Sequence, residues 1–289
     1  GAVALHGLGV AAFHPEGARA AAFASGPRRA TGMSLFSTGG NLGMATGPLV
    51  ITPLVLALGL RATLVPLVAV LLVAAFLSTQ TGRLAALRPH ARGPASAATD
   101  ADRWGPFGRL AVVVMSRSVV YTGISAFLPL FFVGALGRTK AEGATALSIL
   151  LGTGVVGTLA GGRLADRFGR RPVILASMAA LAPLLFALAS ARDPRVATAL
   201  LVPVAFALYL PFSVLVVMGQ EYLPNHVGTA SGVTVGLAVT AGGLAAPLLG
   251  LVADRWGVAG PLFVVSALPL LAVALTLTLP DSRAEEERT

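Results

Sequence analysis

The chain alternates long apolar runs with short polar breaks. A helix crossing a bilayer needs about 20 mostly apolar residues. Eight runs meet that length, near residues 33–58, 62–80, 110–134, 143–162, 173–191, 196–219, 228–252 and 260–280. The apolar stretch at residues 1–13 precedes them. It is too short to span and reads as the C-terminal part of a helix, so the chain reads as truncated at its N-terminus. Residues 81–108 are the one long polar stretch, rich in Ala, Pro, Gly and Arg and without an apolar stripe. That composition predicts a linker. The pattern therefore predicts an all-α integral membrane protein in four parts: residues 1–80 as the remainder of an N-terminal lobe, with a partial helix and two spans; 81–108 as a cytoplasmic linker; 109–281 as a six-helix C-terminal lobe; and 282–289 as a cytoplasmic tail.

Composition agrees with lipid as the solvent. The chain is 55% hydrophobic and 11% charged, with mean hydropathy +0.82, against about 25% charged residues in a soluble domain. The net charge of +9 would suggest nucleic acid in a soluble protein. Here the cations sit between apolar runs, where they set orientation instead. One alternating set of loops carries fourteen Lys/Arg and the opposite set six, with Arg117 left inside a span. The richer set is expected in the cytoplasm, and the C-terminus with it. No Cys is present, which excludes disulfides and thiolate metal sites. No HExxH, nucleotide-binding loop or GxSxG occurs, and GTGVVG at 152–157 lies inside an apolar run. No acid, base and nucleophile cluster at one depth, so the chain is read as a non-enzyme without metal or cofactor.

Two sequence features are more specific. Small residues recur at four-residue spacing, as Gly39, Gly43 and Gly47 before Pro48, as Gly228, Gly232 and Gly236, and as Gly157 and Gly161. Such ladders let helices in lipid approach closely. TGMSLFSTGGNLGMATGPLV at 31–50 also resembles ASGVTVGLAVTAGGLAAPLL at 230–249, a repeat of the kind two-lobed secondary transporters show. The second feature is GGRLADRFGRRP at 161–172, four arginines and Asp166 between two apolar runs, read as a tight cytoplasmic loop.

GGRLADRFGRR resembles the loop signature of the major facilitator superfamily, in the copy between the eighth and ninth helices. GNLGMATGPLV at 40–50 resembles the Gly-Pro motif of the fifth helix in its exporters. GLGVAAFHPEGARAA at 7–21 and VVMGQEYLPNHVGTASGVTVGLA at 216–238 are similar to the fosmidomycin resistance group within it. The resemblance implies a two-lobed helix bundle comprising helices four to twelve of twelve.

Several residues are candidates for function. The resemblance implies that Gly162, Asp166, Arg167, Gly169, Arg170 and Arg171 form a gating loop and that Asp166 faces the start of the helix near residues 31–34, where an anion is also favoured. The bland alternative is topogenic charge. Arg117 lies eight residues past Arg109, about 12 Å deep, with Tyr121 and Ser125 on its face. It would line a cavity and suit an anionic group, or snorkel to the interface. Gln220 and Glu221, with His14 and Glu16 as counterparts in the other lobe, are candidates for the proton pathway or for solvated helix ends. Asn41, between Gly39 and Gly43, is a further candidate for the substrate or proton pathway or an interhelical hydrogen bond, and His6 is read as a packing residue.

The function expected is a proton-coupled antiporter of a bacterial cytoplasmic membrane. It exports a small drug or metabolite, fosmidomycin-like or otherwise anionic, by alternating access. A uniporter or importer in the same fold and a truncated, non-transporting membrane protein stay open. The expected partners are membrane lipid, protons and a small substrate, with no nucleic acid and a monomeric state.

Overall fold

The computed structural model describes residues 2–26, 28–80, 82 and 101–280. Among them every regular element is helical: α1 Ala2–Ala24, α2 Arg29–Leu58, α3 Leu64–Thr79, α4 Trp104–Gly134, α5 Lys140–Phe168, α6 Arg170–Ser190, α7 Pro194–Tyr209, α8 Phe212–Tyr222, α9 Val227–Ser231, α10 Ala238–Trp256 and α11 Gly260–Leu277. A 3-10 turn, Leu60–Thr63, joins α2 to α3, and a π-helical segment, Gly232–Leu237, joins α9 to α10. Six helical stretches among the described residues are long and apolar enough to cross a membrane: α4, α5, α6, α7 with α8, α9 with α10, and α11. They correspond to the six runs expected after residue 108. α3 has 16 residues and buries none of its side chains against protein.

Three elements extend well beyond their apolar runs. α1 continues past Phe13 and through Pro15 to Ala24, so most of the stretch expected as a loop after residue 13 is helix. α5 continues past Gly162 to Phe168, and α6 begins at Arg170. The tight loop expected over residues 161–172 is thus a single residue, Gly169, at φ +94°, a conformation that costs glycine little. With 29 residues, α5 is about 43 Å long, more than the roughly 30 Å hydrocarbon core. Its charged end can project out of the bilayer while remaining helical. α4 likewise begins at Trp104, inside the stretch expected as linker.

α4 packs against α5, α10 and α11, α6 against α7 and α11, and α5 against α7. A continuous apolar core runs through these helices, from Leu110, Ile124 and Leu128 to Leu181, Leu185, Leu201 and Leu262. A smaller apolar cluster of Ala18, Met33, Val216 and Val217, edged by Phe36 and Val235, joins α1 and α2 to α8 and the π-segment. The start of α4 is tied to the turn after α8. The Arg103 N–H donates to the Tyr222 carbonyl, the Asn225 N–H donates to Asp102, and the Asp102 carboxylate pairs with His226 Nδ1 at 2.5 Å.

Candidate functional site

Two polar clusters stand out, one at the arginine-rich end of the bundle and one inside it. The first joins α5 to α2. The first turn of an α-helix has N–H groups without intrahelical partners, and no side chain from α2's own leading residue caps them. Asp166 of α5 supplies the missing acceptor. Its Oδ2 takes the Thr31 backbone N–H at 3.0 Å and the Thr31 hydroxyl at 2.6 Å. Helix approach here depends on Gly162, where an added Cβ would sit 2.6 Å from both the Ala30 carbonyl oxygen and Ser34 Oγ. The carboxylate therefore meets the helix start expected from the sequence, and a glycine one turn away makes the approach possible.

The neighbouring arginines have separate tasks. Arg170 donates to Glu221 at 2.5 Å, tying α6 to α8, with each side chain about one-fifth exposed (18% and 19%). Arg171 donates to the Thr276 and Leu277 carbonyls at 3.2 and 2.6 Å, and Arg109 donates to the Thr278 carbonyl at 2.8 Å. The Tyr222 hydroxyl donates to the Pro280 carbonyl at 3.1 Å. The final carbonyls of a helix lack intrahelical donors, and cations there complement its dipole, so Arg171 of α6 and Arg109 of α4 cap the end of α11, and Tyr222 of α8 holds Pro280 beyond it. Arg167 lies over the Phe168 ring, 5.2 Å from its centroid.

The second cluster surrounds Arg117, which is 7% exposed within α4. Its Nη1 donates to the Leu208 carbonyl at 3.1 Å, and the guanidinium stacks over Phe212 at 4.8 Å. Its Nε is buried without a hydrogen-bond partner. No ion pair reaches Arg117 among the described residues. One turn on, Tyr121 meets Tyr209 edge to face at 5.9 Å. A further turn on, Ser125 Oγ is buried without a partner, as is Ser213 Oγ of α8. α5 makes room for this arrangement with glycines. An added Cβ would lie 2.6 Å from the Tyr209 ring at Gly154, 3.1 Å from the Phe206 carbonyl oxygen at Gly157, and 1.8 Å from that of Leu210 at Gly161.

The remaining expected residues fall elsewhere. Gln220 is buried and donates to Ser231 Oγ at 2.9 Å, joining α8 to α9. Glu16 pairs with Arg19 on its own helix with its side chain 63% exposed, and His14 rests edge-on against Phe13. Neither meets the Arg117 cluster in any contact described. Among the described residues, no atom lies within 4 Å of a Cβ added at Gly39 or Gly43, nor at Gly228, Gly232 or Gly236. The ladder that meets a described neighbour is Gly154, Gly157 and Gly161. The side chains of Asn41 and Pro48, together with His6 and Gly47, lie outside what the structure describes. Phe212 and the Leu208 carbonyl are partners of Arg117 that the sequence did not indicate. Pro211, in the middle of an apolar run, was the available signal for the break between α7 and α8.

The family model of the Major Facilitator Superfamily matches residues 1–244. The chain belongs to the major facilitator superfamily. The uncharacterized MFS-type transporter YfnC of Bacillus subtilis strain 168 is 33% identical over 288 residues, 97% of this chain and 70% of that protein. The fosmidomycin resistance protein of Escherichia coli K12 is 30% identical over 300 residues, 99% of this chain and 71% of that protein. In fold, the chain is similar to the crystal structure of the superfamily transporter FucP in the outward conformation. That likeness has a TM-score of 0.69 at 17% identity and covers 89% of this chain and 69% of FucP. Helices α1–α11 thus have the superfamily's fold over about 70% of the length of these relatives, with the Asp166 contact at the end of α5 and the Arg117 cluster within α4. Proteins of this superfamily move solutes and are not enzymes.

Proposed function

We propose that this chain forms part of a proton-coupled antiporter of a bacterial cytoplasmic membrane that exports a small anionic compound by alternating access. Arg117 carries the reading. A buried guanidinium inside a span costs roughly 2.5–3.5 kcal/mol on insertion scales. This one has a free Nε and no carboxylate partner, so its charge is available to an anionic solute. Tyr121 and Ser125 continue the polar stripe on the same helix face. The 30% identity to a fosmidomycin resistance protein over 99% of the chain makes a phosphonate the first anion to try.

The arginine-rich end faces the cytoplasm in this reading. The Asp166–Thr31 contact and the apolar cluster of Met33, Val216 and Val217 close that side. Glu221, which pairs with Arg170, is the candidate proton carrier in this reading, and Asp166 holds the contact to α2.

The test is uptake of fosmidomycin into inverted vesicles from cells expressing the transporter, with and without a proton gradient. Gradient-driven uptake that Arg117→Gln reduces at least tenfold, without lowering the amount of inserted protein, is the expected result. Uptake unaffected by the substitution removes Arg117 from the pathway, and uptake indifferent to the gradient rules out proton antiport.

A further inference from the structure

Arg117 does more than carry a buried charge, because it contacts both sides of a helix break. The carbonyl that takes its Nη1 belongs to Leu208, at the break between α7 and α8. Pro211 has no N–H, so the helical bond to the Ala207 carbonyl cannot form, and the two helices are separated by Leu210 and Pro211. The guanidinium stacks on Phe212, the first residue beyond the break. One side chain of α4 thus holds both sides of the discontinuity: Leu208 through a hydrogen bond, and Phe212 through its ring. On the opposite side, Gly157 and Gly161 of α5 lie against the Phe206 and Leu210 carbonyls. Beyond the break, α8 carries Val216 and Val217 onto α1 and α2 and Gln220 onto α9.

We propose that an anionic substrate and the Leu208 carbonyl compete for the Arg117 guanidinium, so that substrate binding releases the α7–α8 break. The proposal rests on the reading of Arg117 as an anion site and adds what binding does to the helix. The Leu208 carbonyl takes one N–H of a guanidinium that carries five, whereas a phosphonate is itself charged and can take two at once, the unpartnered Nε among them. The anion therefore wins the contact when present, and the carbonyl regains it when the anion leaves. The guanidinium fixes the break only in the substrate-free form with α8 packed on α1 and α2. Substrate arrival and loosening of α8 are then one event, with Arg117 as a positioning residue for the helix and a binding residue for the solute.

Hydrogen exchange of the purified full-length transporter, followed by mass spectrometry with fosmidomycin as the probe, tests this directly. Losing a hydrogen bond to a charged group should raise exchange at least about tenfold in peptides covering residues 206–216. Exchange in the buried core of α6 should stay unchanged. In Arg117→Gln, exchange across 206–216 should be high from the outset and insensitive to the probe. Arg117→Lys, which keeps the charge but cannot both stack on Phe212 and reach Leu208, should give the same basal rise while still binding the probe weakly. If fosmidomycin binds and exchange across 206–216 is unchanged or slowed, the competition is wrong and the anion site stands. If fosmidomycin binds Arg117→Gln as tightly as the parent, the anion site itself is wrong.

Discussion

Replacing Asp166 with Asn changes one atom and removes the charge. Its Oδ2 accepts two hydrogen bonds from Thr31, at 2.6 and 3.0 Å, at the otherwise uncapped start of α2. Hydrogen bonds to a charged group contribute about 1.5–3 kcal/mol each and neutral ones about 0.5–1.5, so the loss is roughly 1 kcal/mol per bond. The attraction between a carboxylate and a helix N-terminus adds about 0.3–1 kcal/mol. The sum, about 2–3 kcal/mol, corresponds to a shift of roughly 30- to 150-fold in the ratio of joined to separated α2 and α5. The chain contains no cysteine, so a spin-label pair at Arg29→Cys and Arg163→Cys, both exposed positions, reports this distance without background labelling. Asp166→Asn should move population to longer distances and reduce drug tolerance in an expressing strain while the protein still inserts. Thr31→Val, which removes the hydroxyl and keeps the backbone N–H, should give about half the effect. A distance distribution and tolerance matching the parent in Asp166→Asn would refute the capping argument.

Further expectations follow from the packing and the ion pair. Gly161→Ala and Gly162→Ala force a methyl against backbone oxygens at 1.8 and 2.6 Å and should lower stability by about 1–3 kcal/mol, read as a fall in melting temperature in detergent. Gly39→Ala and Gly43→Ala, with open space at the added carbon, should leave the melting temperature unchanged within about 1 °C; a large fall in this pair would contradict the packing. Glu221→Gln replaces the charged acceptor of Arg170 by a neutral one across a pair whose side chains are about one-fifth exposed, a loss of about 1–1.5 kcal/mol or roughly tenfold in the conformational ratio. Its transport should lose its dependence on an imposed proton gradient, and a gradient dependence matching the parent would remove Glu221 from proton coupling.

The six C-terminal spans were legible because a bilayer demands long apolar runs, and those runs stand in the sequence without needing a partner. The ends of α1 and α5 were not. In a membrane helix, polarity marks depth rather than the helix boundary, since headgroups and water solvate Arg163, Asp166 and Arg167 without breaking the backbone pattern. The glycine ladders show a second limit. Gly39 with Gly43, Gly228 with Gly232, and Gly157 with Gly161 have the same spacing, yet among the described residues only the last pair has a neighbour within 4 Å of an added Cβ. Spacing tells which face of a helix is small, not which helix comes to it. Proline is equally ambiguous, because Pro129, Pro183, Pro203, Pro247 and Pro269 all lie within continuous helices, while Pro211 sits at a break. The Asp166 contact was legible because a lone carboxylate among arginines and a repeat pairing two helix starts together restrict where it can go.

The interior site depends on backbone irregularity more than on side-chain identity. Adjacent residues of α4 reach carbonyls in two different helices: Arg117 to Leu208 beside the α7–α8 break, and Ser118 to Ala238 at 2.5 Å, directly after the π-helical segment. Carbonyls near such irregularities can accept from a side chain because their helical donors are missing or displaced. Both irregular segments lead towards the elements that pack on α1 and α2: α8 through Val216 and Val217, and the π-segment through Val235. One turn of α4 is therefore positioned to sense the interior and to hold two helices that close the arginine-rich end. Of the two residues, only Arg117 has a charge that a solute can compete for. Ser118 presents a neutral hydroxyl, so its bond to Ala238 should persist when an anion arrives. This asymmetry makes α8, rather than the π-segment, the element expected to respond first.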